Sequence, residues 1–168
     1  MTDFQAALRA KLARNSELLE QRAQAEQEMD RAKAERLERV EREARELEAA
    51  QRERHGELVE HLSTVAQHLK ASSPEHFIVR LGWTESGEEF IAKISTRQLH
   101  PQRSLLVELD RDDDEVLVRW HSDVGNTLEL WRLLEVSPAL IEALVLQAAD
   151  QDLWRSRKSP PAFPTGVG

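Results

Sequence analysis

The densest group of side chains that could perform chemistry is the acidic run from Asp110 to Glu115, DRDDDE. Asp110, Asp112 and Asp114 have the spacing of the first three ligands in a helix–loop–helix calcium site. Such a loop needs glycine at its sixth position and glutamate at its twelfth, but Glu115 and His121 stand there. The mismatches favour a solvated hairpin tip over a cation site or a docking loop for a partner protein. A docking loop would present the carboxylates of Asp110, Asp112, Asp113, Asp114 and Glu115.

The other residues whose side chains could bind a metal or catalyse a reaction do not form a known motif. His61 and His68 are one heptad apart, so they share a helix face and could hold a metal between the chains of a parallel dimer. Ordinary surface or seam histidines are the favoured interpretation. The chain has no cysteine, no phosphate-binding glycine loop, no nucleophile elbow and no HExxH sequence. We therefore expect no cofactor and no enzymatic activity, and keep a small enzyme as the least favoured alternative.

The composition changes at Pro74, which divides the chain into two parts. Residues 1–72 contain no proline and only one glycine, Gly56, whereas all four tryptophans lie beyond Pro74. Proline cannot continue a helix and pushes the preceding residue out of the helical region. The sequence thus predicts a long helix over 1–72, a small head domain over 74–156 and a disordered tail over 157–168, which is rich in proline and glycine.

The N-terminal part consists of strong helix formers with little surface to bury. Pairs such as Glu35/Arg39 and Glu38/Arg42 place the acid four residues before the base, and each pair is worth roughly 0.2–0.5 kcal/mol. A 3–4 spacing selects a weak apolar seam, and an 11-residue spacing fits about as well. The candidate seam residues are Leu37, Val40, Ala44, Leu47, Leu58, Leu62, Val65 and Leu69. We favour a homodimeric coiled coil over a solitary charged spacer or a helix that pairs with another protein.

The head alternates apolar and polar residues with the period of β-strands. Two hairpins follow, one turning at Ser86-Gly87 and one across Arg111–Asp114, and their registers place the apolar residues on one face. Ser137-Pro138 is typical of a helix start. The run 128–134 fits a short helix or a fifth strand, and we favour the helix. The predicted fold class is α+β: a long N-terminal helix, then an antiparallel sheet of about four strands packed by C-terminal helices.

The charge balance limits the partners. The chain has a formal net charge of −8, and the residues from Pro74 to Trp154 include seven basic and 16 acidic side chains. Phosphate contacts need clustered Lys and Arg, so we expect no direct binding of nucleic acid. No stretch approaches the roughly 18 apolar residues of a membrane span. The dominance of arginine and the absence of tyrosine are typical of a GC-rich bacterial genome.

These observations predict a cytoplasmic, non-enzymatic coiled-coil adaptor or scaffold. It would dimerise with itself through the N-terminal helix and bind at least one other protein through the acidic head. The alternative is an acidic inhibitor or mimic that occupies the nucleic-acid-binding site of a partner, which would show steep salt dependence.

Overall fold

A computed structural model describes residues 2–165 and confirms the α+β fold class. A long helix is followed by an antiparallel sheet and short C-terminal helices. In chain order the elements are α1 (Asp3–Ser72), β1 (Phe77–Trp83), β2 (Glu89–Thr96), β3 (Arg103–Asp110), β4 (Glu115–Ser122), β5 (Gly125–Trp131), a 3₁₀ turn (Leu133–Glu135), α2 (Pro138–Ala149) and α3 (Gln151–Trp154).

The sheet is a meander in which each strand pairs with the next, in the order β1-β2-β3-β4-β5. Both predicted hairpin registers are confirmed: Trp83 lies opposite Phe90, and Leu109 lies opposite Val116. The prediction of about four strands was wrong, because most of the 128–134 run forms β5 instead of a helix. Gly125, with φ of +124°, returns the chain from β4, and pairing with β4 then satisfies backbone groups that a short helix would leave open.

The described residues fall into two compact units, which we call the N-terminal unit (up to Leu47) and the C-terminal unit (from Glu48). The boundary predicted at residues 72–74 coincides with the end of α1. The boundary between the two compact units instead lies inside α1, after Leu47. The last part of α1 belongs to the C-terminal unit because its side chains pack against the sheet. Within residues 2–165, no helix combines the length and the apolar character of a membrane span.

One face of the sheet carries the core of the C-terminal unit. Leu58 and Leu62 of α1 are fully buried there, and Val65 and Leu69 are partly buried against the same cluster. Leu58 and Leu62 of the predicted dimer seam are therefore core residues, whereas Val65 and Leu69 keep part of their surface exposed. The same helical spacing suits an intramolecular core and an intermolecular seam, so the pattern alone did not distinguish them.

A buried arginine joins β3 to the end of α2. Arg103 is 2% exposed, and its guanidinium donates hydrogen bonds to the carbonyl oxygen of Ala148 at 2.9 and 3.1 Å and to Oε1 of Gln151 at 2.8 Å. The guanidinium carbon also lies 5.3 Å from the ring centroid of Trp154. Burial lowers the pKa of Arg103 to about 10. The cation satisfies an open carbonyl at the negative end of α2.

In the segment after α3, for which composition predicts disorder over 157–168, one side chain is packed against the sheet; residues 166–168 lie outside the described part. Phe163 is 9% exposed and stacks on Trp120, with ring centroids 6.1 Å apart. It also meets the edge of Trp131 at 6.1 Å. Proline and glycine content predicted a free end, but one aromatic residue anchors it.

Candidate functional site

The residues on the face of the sheet opposite the core are exposed or half-buried, and we call this face the open face. Strand alternation places residues of different character on it in rows that cross the strands. The basic row contains Arg80, Lys93 and Arg119; the apolar row contains Ile91, Leu117 and Leu130; and the acidic row contains Glu89, Asp110 and Glu115. Along β2 and β4 the order is acidic, apolar, basic, whereas β3 places Asp110, Glu108 and Leu106 in these rows.

The three cations of the basic row have no anionic partner. Arg80 lies directly opposite Lys93, and Leu106 separates Lys93 from Arg119. Among residues 2–165, none of the three forms an ion pair or a side-chain hydrogen bond. Like charges directly opposite each other destabilise a sheet. The open face therefore carries positive charge that the fold itself does not use.

The acidic row consists of neighbouring carboxylates, none of which forms an ion pair among residues 2–165. Glu89 lies opposite Asp110, which lies opposite Glu115. Burial raises the pKa of Glu89 above its ordinary value, and Glu108, Asp110 and Glu115 raise it further. Glu108 lies in the apolar row, but its carboxyl group interacts with that of Glu89 in the acidic row. These carboxylates lack the cation that would normally compensate them.

The predicted acidic loop is the turn between β3 and β4, and several of its carboxylates have structural partners. Asp110 Oδ1 accepts the backbone N–H groups of Asp112 and Asp113, both at 3.1 Å. Asp114 has φ of +50°, and its two carboxylate oxygens accept from Gln51 Nε2 at 3.1 Å and from the N–H of Leu133 at 3.0 Å. These contacts shape the turn and tie it to α1.

Several carboxylates at and near this turn repel one another. The Asp112 carboxyl group raises the pKa of Glu88, and the charge of Asp110 raises the pKa of Asp113. Arg111 donates to Asp112 Oδ1 at 3.2 Å and lowers the pKa of Asp112. Within the described residues, no group of three or more His, Asp or Glu side chains is arranged to hold a metal ion. Docking by this loop stays a prediction.

The first half of the predicted seam lies in the N-terminal unit, where no described residue is buried. Leu37, Val40 and Leu47 are 60%, 54% and 52% exposed, and Ala44 is exposed as well. The remaining large apolar side chains of this unit are also exposed: Phe4, Leu8, Leu12, Leu18, Leu19 and Met29. The unit thus presents apolar side chains along a helix that has nothing of its own to bury them.

Two shallow depressions open onto the basic row. One, of about 350 Å³, is lined by Arg80, Gly82, Ile91 and others, and the second, of about 210 Å³, reaches Arg119 and His121. Lys93 and Leu106 line both. Gly82 has no atom within 4 Å of where a Cβ would lie, so its lack of a side chain leaves the first depression open. Both depressions are lined by aliphatic and cationic side chains.

Comparisons with protein families, curated proteins and solved structures found no match to this chain. The function is therefore argued from its own surfaces. Sequence reasoning found the acidic turn and the apolar helix residues but missed the basic row. The signal was present in the two hairpin registers, because they place Arg80 opposite Lys93 and align Leu106 with Arg119.

Proposed function

We propose that the protein is a non-enzymatic adaptor or scaffold that pairs with a second copy through its N-terminal helix, as a coiled coil, and binds other proteins through its C-terminal unit. The observation that carries this proposal is the exposure of every described apolar side chain in the N-terminal unit. Isolated helices are marginal in water, and most helical stability in proteins comes from packing of an apolar face. The absence of cysteine is compatible with a cytoplasmic location.

Charge favours a second copy as the helix partner. Acidic and basic residues are interleaved and nearly balanced between residues 2 and 47, with 11 acidic and 10 basic side chains. Two such helices attract or repel each other little through net charge, whereas i,i+4 pairs such as Glu48–Arg52 at 3.2 Å already stabilise each helix singly. Burial of Leu37, Val40 and Leu47 between two helices then supplies the association energy.

The test is molar mass in solution by light scattering over a range of concentrations. The variant Leu37→Asn/Val40→Asn should raise the dimer dissociation constant by more than about tenfold, because each buried aliphatic side chain is worth roughly 1.5–3 kcal/mol. The matched control, Glu35→Asn/Arg42→Asn, places two asparagines on the opposite side of the helix and leaves the net charge unchanged. A monomeric wild-type chain at tens of micromolar, or equal weakening by both variants, would contradict pairing through this seam.

The acidic row favours a second candidate, the inhibitor that mimics a nucleic acid. Its three carboxylates lie side by side without a compensating cation. The probe is a fluorescent lysine-rich peptide, and binding should weaken steeply with salt. Glu89→Gln/Asp110→Asn/Glu115→Gln should abolish binding, while the control Glu20→Gln/Glu28→Gln/Glu43→Gln, which removes the same charge from the N-terminal unit, should not. Equal loss with both sets would exclude this row as the binding site.

A further inference from the structure

The open face carries two rows of charge with opposite sign, and no ion pair joins them within residues 2–165. Glu89 and Lys93 lie on the same strand and the same side, four residues apart. At about 3.3 Å per residue, that spacing is roughly 13 Å. The described part of the chain therefore leaves the two rows without mutual neutralisation.

We propose that the open face binds the open face of a second copy, related by a two-fold axis that runs along the apolar row. This rotation reverses the strand direction and keeps the order of the strands. It therefore sets Glu89 of each copy over Lys93 of the other, and Glu115 over Arg119. The arrangement is isologous, as most homodimers are: the same patch serves both partners.

The apolar row supplies the centre of this interface. Ile91 and Leu117 lie on the axis and meet their own counterparts, and Leu130 extends the row onto β5. Leu128 and Leu130 are 51% and 54% exposed, so this pairing buries aliphatic surface that the single copy leaves open. Glu108 lies between Ile91 and Leu117 on the axis and faces its own counterpart. Its carboxyl group interacts with that of Glu89, which the same rotation places over Lys93 of the second copy.

The size of the face sets the expected strength. Five strands at about 4.8 Å and eight residues at about 3.3 Å give a patch of roughly 600 Å² per copy. The total of about 1,200 Å² is at the lower limit for a specific, stable interface. The repulsion expected from a net charge of −8 is long-ranged and is largely screened at 0.15 M salt, where the Debye length is about 8 Å. The contact should therefore be weak and need a higher protein concentration than the pairing of the helices.

A cysteine-free chain allows a direct test by disulfide formation. In full-length protein carrying Leu117→Cys, two copies should link through this position under a mild thiol–disulfide buffer, because the axis brings it next to its counterpart. Leu146→Cys, at a 69% exposed position of α2, serves as the control for random collision and should link much more slowly. Equal rates for the two positions would overturn the proposal.

Charge reversal makes the test specific for the rows. Adding Glu89→Lys to Leu117→Cys should slow linkage by roughly tenfold or more, and so should adding Lys93→Glu, because each places like charges together. The combination of Glu89→Lys and Lys93→Glu should restore the rate, since the two-fold axis re-forms the pair in the swapped sense. Failure of the swap to restore linkage would contradict the arrangement even if both single variants were slow.

The test also separates this contact from the helix pairing proposed above. Linkage through Leu117→Cys should persist in the Leu37→Asn/Val40→Asn background, because the sheet contact uses no residue of the N-terminal unit. A fluorescent poly-glutamate peptide reports on the competing occupant. If it binds the wild-type chain and Leu117→Cys does not link, the basic row serves an acidic partner and the self-pairing proposal is wrong.

Discussion

Arg80 and Lys93 lie directly opposite each other on β1 and β2, and neither has an anionic partner among residues 2–165. Two cations in this relation repel each other and gain nothing for the fold. Their neighbour in the same row, Arg119, is equally unpaired. The basic row is thus a place where stability is lower than the sheet could achieve, which is common at binding surfaces.

Replacement of Arg80 should therefore stabilise the chain. Arg80→Glu removes a repulsion and creates an opposite-charge pair with Lys93, so we expect the free energy of unfolding to rise by about 0.2–1 kcal/mol. Urea denaturation at low micromolar protein and pH 7 measures the change. Arg97→Glu makes the same charge change just beyond β2 and is the control. A decrease for Arg80→Glu relative to Arg97→Glu would show that Arg80 has a stabilising partner.

The acidic row predicts a dependence of stability on pH. The pKa of Glu89 in the folded chain is raised above the value of about 4.5 expected when unfolded. Between these two pKa values the folded state binds more protons than the unfolded state, so stability should rise as the pH falls from neutral toward 4.5. Glu89→Gln should be more stable than wild type at pH 7 and should flatten this rise. Glu85→Gln, in the exposed β1–β2 turn, should leave the rise unchanged.

Asp112 affects the stability of the fold in a lower pH range than Glu89, and there stability falls as the pH falls. Arg111 lowers the pKa of Asp112 below the ordinary value of 3.8, so its contribution to stability is present above that value and is lost as the pH falls further. Denaturation midpoints measured from pH 7 to pH 3 should therefore pass through a maximum. A steady decline of stability from pH 7 downward would contradict the raised pKa of Glu89.

Strand alternation, turn residues and helix caps predicted most of the secondary structure, because each depends on residues close together in the sequence. Both hairpin registers followed from strand alternation and turn residues, and Ser137 caps α2 by accepting the N–H of Leu140 at 3.2 Å, as its sequence indicates. The errors concern long-range packing. Leu58 could not be assigned to a core without the sheet that covers it, and Phe163 could not be placed without Trp120. The basic row was missed although the hairpin registers contain part of it: they place Arg80 opposite Lys93, and the pairing of β2 with β3 then aligns both with Arg119.

Arg103 should be among the most sensitive positions of the C-terminal unit. Arg103→Met fills similar space but leaves the Ala148 carbonyl without its donors, and we expect a loss of about 3 kcal/mol. The stability of Arg103→Lys should lie between those of Arg103→Met and wild type, because lysine keeps the charge at the end of α2 but lacks the planar guanidinium. Thermal and urea denaturation measure the series. Equal stability of Arg103→Met and wild type would mean that the hydrogen bonds do no more than offset the burial of the charge.

The pH dependence of Arg103 has a definite sign. Its pKa of about 10 in the folded chain lies below the ordinary value for arginine, so the unfolded state binds more protons between these two values. The cost of burying the charge is therefore constant below about pH 10 and decreases as the pH rises through that window. The difference in stability between Arg103→Met and wild type should consequently be independent of pH between 5 and 9. A slope in that range would assign the effect to another titrating group.

The packed tail gives the last prediction. Phe163 stacks on Trp120 and meets the edge of Trp131, so Phe163→Ala should leave a cavity at the sheet surface and cost about 3 kcal/mol, the lower end of the range for a core phenylalanine. Denaturation followed by tryptophan fluorescence measures the loss, and the native spectrum should shift to the red as water reaches the indole rings. Thr165→Ala, two residues further on and exposed, should have no effect. If Phe163→Ala is as stable as wild type, residues 157–165 do not contribute to the core, and the disordered end predicted from composition is the better description.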